Sequence, residues 1–194
     1  MSDAGAANSD GKVDAELLER IARQDRLALR TFFARYHVRL FRYLARLTRN
    51  EAMAEELVNE VFLSVWRNAA SFQGQSAVSS WVFAIARNRA MSELRKRRED
   101  TLDDPDSYDE MDEADTPEET ALKVDKAAAL RACLDKLSPD HREVIELVYY
   151  QEKSVKEVAD IVGIPENTVK TRMFHARQKL SLILREAGID RGWP

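Results

Sequence analysis

Residues 154–180 read SVKEVADIVGIPENTVKTRMFHARQKL. Ser154 and Glu157, three residues on, form a capping box that gives a first helix a defined start. Val155, Val158, Ala159 and Val162 follow at helical spacing on one buried face. Gly163 stands where a helix needs a left-handed stop, and Pro165 suits the first turn of the next helix. A turn this short makes two helices cross steeply, so the second projects from the body of its domain. Its outward residues are Asn167, Lys170, Thr171, Phe174 and His175, with Arg172 and Arg177 flanking. Amides, hydroxyls and cations suit base edges and phosphates, and a Phe can meet a thymine methyl. The stretch therefore predicts a helix-turn-helix ending in a DNA-reading helix. On this segment alone the alternative is an ordinary helical hairpin with a solvated basic face.

The rest of the composition fits a helical protein. The chain has 194 residues, room for one ordinary domain or two small ones. Six Gly and five Pro are few for that length, and 33% of residues are charged, which favours helices over turn-rich sheets. The glycines are not clustered, so a phosphate-cradling glycine loop is excluded. The single Cys133 excludes an internal disulfide and any multi-cysteine zinc site, and it falls in the apolar pattern Leu130, Cys133, Leu134, Leu137 of a buried core. His37, His141 and His175 lack metal-ligand spacing. No metal, cofactor or small-molecule substrate is expected. No apolar run of about eighteen residues is present, and the polar, acidic MSDAGAANSD is not a signal peptide. The expectation is a soluble, cytoplasmic protein with no membrane insertion.

A formal net charge of −4 looks wrong for a DNA binder until it is divided. Residues 99–122 hold twelve Asp and Glu and not one Lys or Arg. The remainder carries all 30 bases against 22 acids, a net +8. Two basic bodies joined by an acidic string is the organisation this implies. Residues 1–12 read as a disordered start, 13–98 as a first domain, 99–122 as the linker, 123–188 as a second domain, and 189–194 as a tail.

Within the first domain, Leu29, Phe33, Tyr36, Leu40, Leu44 and Leu47 repeat at three and four residues as one apolar face. Arg30, Arg35, Arg39, Arg42, Arg46 and Arg49 line the other side. A helix from about Glu51 to Asn68 buries Leu57, Val61 and Val65 and exposes Glu55, Glu56, Asn59 and Glu60. After the loop SFQGQSAVS, another helix begins near Ala77 and ends in Arg95, Lys96, Arg97 and Arg98, where cations complement its dipole. In the second domain helices are expected over 118–136 and 139–150, before the helix-turn-helix. The fold class is all-α.

Residues 54–98, AEELVNEVFLSVWRNAASFQGQSAVSSWVFAIARNRAMSELRKRR, resemble domain two of bacterial sigma factors, and residues 154–180 resemble their domain four. The pairing, with a short linker and no third domain between, looks like the extracytoplasmic-function (group 4) sigma factors. That resemblance implies a subunit that binds core RNA polymerase and promoter DNA, and a partner anti-sigma factor. It implies that Glu56, Asn59, Glu60, Phe62 and Trp66 dock on the clamp helices of polymerase. Phe72, Gly74, Gln75, Ser76 and Ala77 would form the loop that captures an extruded base of the −10 element, with Trp81 and Asn88 as its support and polar wall. Lys170, Thr171, Phe174 and His175 match positions that read the −35 element, with Pro165, Asn167 and Thr168 near the phosphates. The resemblance also implies that the acidic linker threads the RNA path of polymerase. Ser92 and His175 depart from the family's usual Asp and Arg, and His175 removes a permanent cation from the reading helix.

Two rival functions compete with this reading. A stand-alone helix-turn-helix regulator leaves the base-capture loop and the acidic–aromatic helix without a purpose. A helical nucleic-acid-processing enzyme lacks a His or Cys constellation, and its carboxylates lie on solvated faces.

Overall fold

The computed structural model describes residues 3–103 and 121–188, with side-chain burial defined over 10–99 and 128–188. Eight α-helices follow in order among them: α1 Asp3–Ala22, α2 Arg26–Thr48, α3 Glu51–Asn68, α4 Val78–Asp103, α5 Ala121–Asp135, α6 Pro139–Ile145, α7 Val155–Val162 and α8 Glu166–Glu186. A 3-10 turn, Ala69–Ser71, follows α3, and a π turn, Glu146–Tyr150, prolongs α6. There is no strand among the described residues, so the all-α expectation holds. The helices group into two compact units, one built on α1–α4 and one on α5, α6 and α8.

Local signals fix the helix ends in the first unit. The Asp25 carboxylate accepts from the backbone N–H of Leu27 at 2.9 Å and of Ala28 at 3.1 Å, capping α2. Asn50 caps α3 through Met53 N–H at 2.7 Å. Arg49 closes α2 in a left-handed conformation, φ 56°, with its N–H on the Ala45 carbonyl. The core is aromatic. Phe32 stacks on Tyr36 with ring centroids 4.5 Å apart, and Tyr43 meets Phe83 at 5.3 Å.

The buried face of α2 differs from the expected one. Ala28, Phe32, Tyr36, Leu40, Tyr43 and Leu44 are buried, whereas Phe33 is exposed and Leu29 and Leu47 are half-buried. Neighbouring Phe32 and Phe33 both satisfy a helical repeat through Tyr36; both meet Phe62 of α3, but only Phe32, stacked on Tyr36, is fully buried. On the arginine side Arg46 is half-buried and the other five are exposed, Arg35 and Arg39 among them with tertiary contacts. Arg35 bonds to Asp14 and Asp10, and Arg39 lies over the Phe83 ring at 5.7 Å.

Helix α1 starts at Asp3, inside the stretch expected to be disordered. Tertiary bonds account for order that a polar sequence does not advertise. Buried Asp14 accepts from the Tyr36 hydroxyl and from Arg35 Nε at 2.8 Å, while Arg35 Nη2 reaches Asp10 at 3.1 Å. Burial, and then the bond to Asp14, push the Tyr36 hydroxyl well above the ordinary phenol range. Helix α4 runs past the basic run to Asp103, into the expected linker. Residues 104–120 and the tail 189–194 lie outside the described residues.

The second unit has an aliphatic core that includes Leu134, Leu137, Val144, Leu147, Val169 and Leu180, with Cys133 buried beside them. Ser138 caps α6 and Pro139 occupies its first turn. The expected helix over 139–150 changes at Glu146 from α to π geometry. Glu146 is buried there and accepts from Gln151 Nε2 at 3.1 Å. Ser154 and Glu157 make the capping box in both directions, at 3.3 and 3.0 Å. Gly163 takes φ 73°, and Ile164 N–H bonds back to Ala159 at 3.2 Å, a Schellman stop that ends α7. Val158 and Val162 are buried as expected, together with Ile161, while Val155 and Ala159 are half-buried.

Candidate nucleic-acid interface

Helix α8 follows that stop, with Pro165 at its N-cap. Successive side chains turn by about 100°, so residues three, four and seven apart share a face. Val169, Ala176, Leu180, Ile183 and Leu184 form the buried stripe. Opposite it, Asn167, Lys170, Thr171 and Phe174 are exposed, and Phe174 presents 59% of its surface to solvent. His175 is exposed at one edge, its ring 6.4 Å from that of His141. Thr168 is half-buried in the first turn. Thr171 donates to the Asn167 carbonyl at 2.9 Å, which leaves the hydroxyl oxygen available as an acceptor. Gln178 was not anticipated, although it is exposed and lies four residues from Phe174 and seven from Thr171.

The two flanking arginines take different surroundings. Arg177 donates to the Met173 carbonyl at 3.3 Å and borders a groove of about 620 Å³ with Leu134, Ile145, Tyr149 and Tyr150. Arg172 lies against the buried stripe, between Val169 and Ala176 in helical spacing, and its Nη2 meets Asp140 at 2.6 Å. In this structure its guanidinium points to α6 and not outward with Lys170 and Thr171.

In the first unit the exposed face of α3 carries Glu56, Asn59 and Glu60, with half-buried Trp66 near its end. Phe62 does not join them. It is 6% exposed and packs on Phe33 at 4.6 Å and Phe32 at 6.4 Å. Its helical spacing from Val58 and Val65 places it on the buried stripe. Leu63 takes the outward place instead, 53% exposed and one turn from Asn59 and Trp66. Glu60 reaches Arg89 of α4 at 3.4 Å, and that arginine donates to Ser64 at 2.8 Å.

The loop between α3 and α4 exposes Gly74, Gln75 and Ala77, with Ser76 half-buried. Gly74 adopts φ 70° with open space where a Cβ would stand, so backbone conformation, not crowding, is what favours glycine. Gln75 donates to the neighbouring Gln73 side chain at 2.9 Å. Half-buried Phe72 lies 5.3 Å from half-buried Trp81, with the rings inclined at 54°. Asn88 is exposed seven residues beyond Trp81 on the same face of α4. Two neighbouring rings, an amide two turns further along α4 and exposed loop backbone thus stand at one end of this unit. Rings and an amide of this kind can stack on and hydrogen-bond to a planar base. Among the described residues no cluster of three or more His, Cys, Asp or Glu is placed to hold a metal, and no helix is long and apolar enough to cross a membrane.

Comparison with known proteins identifies both units. Residues 32–99 match the sigma-70 region 2 family and residues 127–180 match sigma-70, region 4. The class is therefore that of the sigma-70 initiation factors. The ECF RNA polymerase sigma factor SigL of Mycobacterium tuberculosis is 33% identical over 84% of this chain and 92% of its own. SigM of the same organism is 34% identical over 88% and 84%. Among solved structures, the sigma factor RpoE of Bartonella quintana, in complex with the anti-sigma factor NepR, is 27% identical with a TM-score of 0.68, covering 80% of this chain and 96% of that one. CnrH, in complex with the cytosolic domain of CnrY, shares the fold at a TM-score of 0.68 and 23% identity, covering 90% and 98%. The chain belongs to the extracytoplasmic-function sigma factors. It acts with core RNA polymerase and promoter DNA in transcription initiation.

Proposed function

We propose that the two units divide promoter recognition between them. The α8 face of Asn167, Lys170, Thr171 and Phe174, with His175 at its edge, reads the −35 duplex in the major groove. Pro165 and Thr168 at its start approach the phosphates, and Arg177 flanks them. The loop Phe72–Ala77 captures an unstacked −10 base against Phe72 and Trp81, with Asn88 as polar wall, and the binding energy offsets unpairing. The face of Glu56, Asn59, Glu60 and Trp66 docks on polymerase, with Leu63 as the apolar anchor in place of Phe62. The two working bodies correspond to residues 13–98 and 123–188, the first extended by the Asp10 contact of α1. No covalent chemistry is assigned to this chain, and its place of work is the cytoplasm. An anti-sigma factor that covers these faces is the partner supported by the complex of RpoE with NepR.

Exposure of Phe174 among amide, hydroxyl and ammonium groups is the observation that carries this reading. A large ring left in water at the outer face of a helix builds no core. The test begins with titration of the full chain against core polymerase. Glu60→Lys with Trp66→Ala should weaken that binding while run-off transcription falls in proportion. Unchanged core affinity removes the α3 assignment.

A further inference from the structure

We propose that Asp140 is a positioning residue for duplex recognition: its carboxylate holds Arg172 as an internal strut between α6 and α8, so Arg172 sets the rotation of the reading helix and does not bind phosphate. The inference rests on the reading of α8 as the −35 helix.

Three observations lead there. The Arg172–Asp140 distance of 2.6 Å is at the short end for a charge-assisted bond. The Arg172 side chain is 24% exposed, and Asp140, the outer partner, is 59% exposed. The arginine stem thus runs along the apolar stripe and delivers its head to α6. Asp140 itself lies in the first turn of α6, directly after Pro139, where the helix dipole favours a negative charge. The adjoining residue, His141, meets His175. Two consecutive residues of α6 therefore engage α8 at positions 172 and 175, one turn apart.

A strut at that place controls where Lys170, Thr171 and Phe174 point, because turning α8 about its axis moves all three together. It also withdraws one cation from the protein's phosphate-binding charge. Lys136 and Lys179, which line the concavity beside His141 and His175, remain to face the backbone. Without Asp140, Arg172 becomes an additional sequence-blind contact. Discrimination then falls while non-specific attraction rises.

The experiment uses the full chain assembled on core polymerase. A duplex enriched by the wild-type assembly from a random-sequence pool is compared with a scrambled duplex over a series of salt concentrations. Arg172→Ala should lower the preference for the enriched duplex about tenfold, the size of one base contact, with the salt slope of wild type. Asp140→Asn should lower the preference similarly and steepen the slope by about 0.9, one extra released counterion. The charge-swapped pair, Asp140→Arg with Arg172→Asp, should recover preference. Thermal unfolding confirms that each variant is folded, and the two single variants decide the matter if the swap is not. A slope shallower by about 0.9 in Arg172→Ala, with Asp140→Asn neutral, makes Arg172 an ordinary phosphate contact and overturns the strut. Unchanged preference in both single variants overturns it as well. A wild-type assembly that enriches no duplex overturns the α8 reading and the strut with it.

Discussion

The two units place their aromatic residues in opposite ways. In the first, Phe32, Tyr36, Tyr43, Phe62 and Phe83 are buried and form the core. In the second, the described buried apolar residues are aliphatic apart from Cys133, while Tyr149, Tyr150 and Phe174 are exposed. Each large ring can bury more apolar area than an aliphatic side chain, so leaving three of them exposed forgoes burial that folding could have used. The contrast marks the rings of the second unit as surface equipment. It also isolates the exceptions in the first. Phe72, Trp66 and Trp81 are only half-buried, and each lies on a face assigned to polymerase or to a base. Phe33 and Phe41 of α2 are also incompletely buried, so partial burial alone does not mark a contact surface in the first unit.

The strongest challenge to this contrast is to remove a ring from the buried set. Phe32→Ala should cost about 3–5 kcal/mol, against about 2–5 kcal/mol for Leu180→Ala in the aliphatic core. Hydrogen exchange followed peptide by peptide gives the check. Phe32→Ala should speed exchange across α1–α4 and spare α5, α6 and α8, and Leu180→Ala should do the reverse. Equal acceleration everywhere means that the two cores unfold as one, and the comparison loses its basis.

Removing rings from the exposed set should have the complementary signature. Phe174→Ala should change stability by no more than about 0.5 kcal/mol, because the ring supports nothing. It should weaken binding of the −35 duplex by about 1–3 kcal/mol. Phe72→Ala should leave that duplex binding intact and impair opening, by about 1–3 kcal/mol of lost base stacking. Permanganate reactivity of the melted thymines separates the two effects. If Phe174→Ala unfolds the second unit, the ring is core after all.

Much of this architecture was legible because it is local. The capping box at Ser154, the glycine stop at Gly163 and the Pro139 start each involve residues within one turn of each other. Helix α3 was found from Glu51 to Asn68 for the same reason. What periodicity left open was phase. Two adjacent rings, Phe32 and Phe33, fit the α2 repeat equally well, and Phe62 beside Leu63 offered a ring and an aliphatic side chain on opposite faces. The more aromatic candidate looked like the anchor, but packing against Phe32 and Phe33 buries it. Arg172 was read as a flanking cation on charge alone, and its pairing with Asp140 shows only once the two are placed in space. The part of α1 before Val13 was hidden more deeply. Within it Asp10 meets Arg35 across 25 residues, a pairing that no short-range signal contains. The π turn at Glu146 likewise has no spacing rule that announces it.

The smallest expected effect separates the units by the chemistry of their helix caps. In the first, α2 begins on a carboxylate, Asp25, which also accepts from Arg20 at 2.7 Å. In the second, α6 begins on a hydroxyl, Ser138, accepting from His141 N–H at 3.4 Å. The Arg20 hydrogen bond, and then the backbone N–H of Ala28, hold the Asp25 carboxyl below its ordinary value of 3.8. A carboxylate with a lowered folded pKa contributes stability that is present above the unfolded value and lost as pH falls through the folded one. The hydroxyl of Ser138 has no such titration. Acidification from about pH 5 to about pH 2 should therefore shrink the difference in melting temperature between wild type and Asp25→Ala, while the difference for Ser138→Ala stays constant. Asp25→Asn sharpens the test, because an amide keeps the cap and removes the charge. It should fall between wild type and Asp25→Ala at the higher pH and match wild type more closely at the lower. An Asp25→Ala difference that does not move with pH would show that neither the Arg20 pair nor the backbone N–H bonds favour the charged carboxylate over the neutral one.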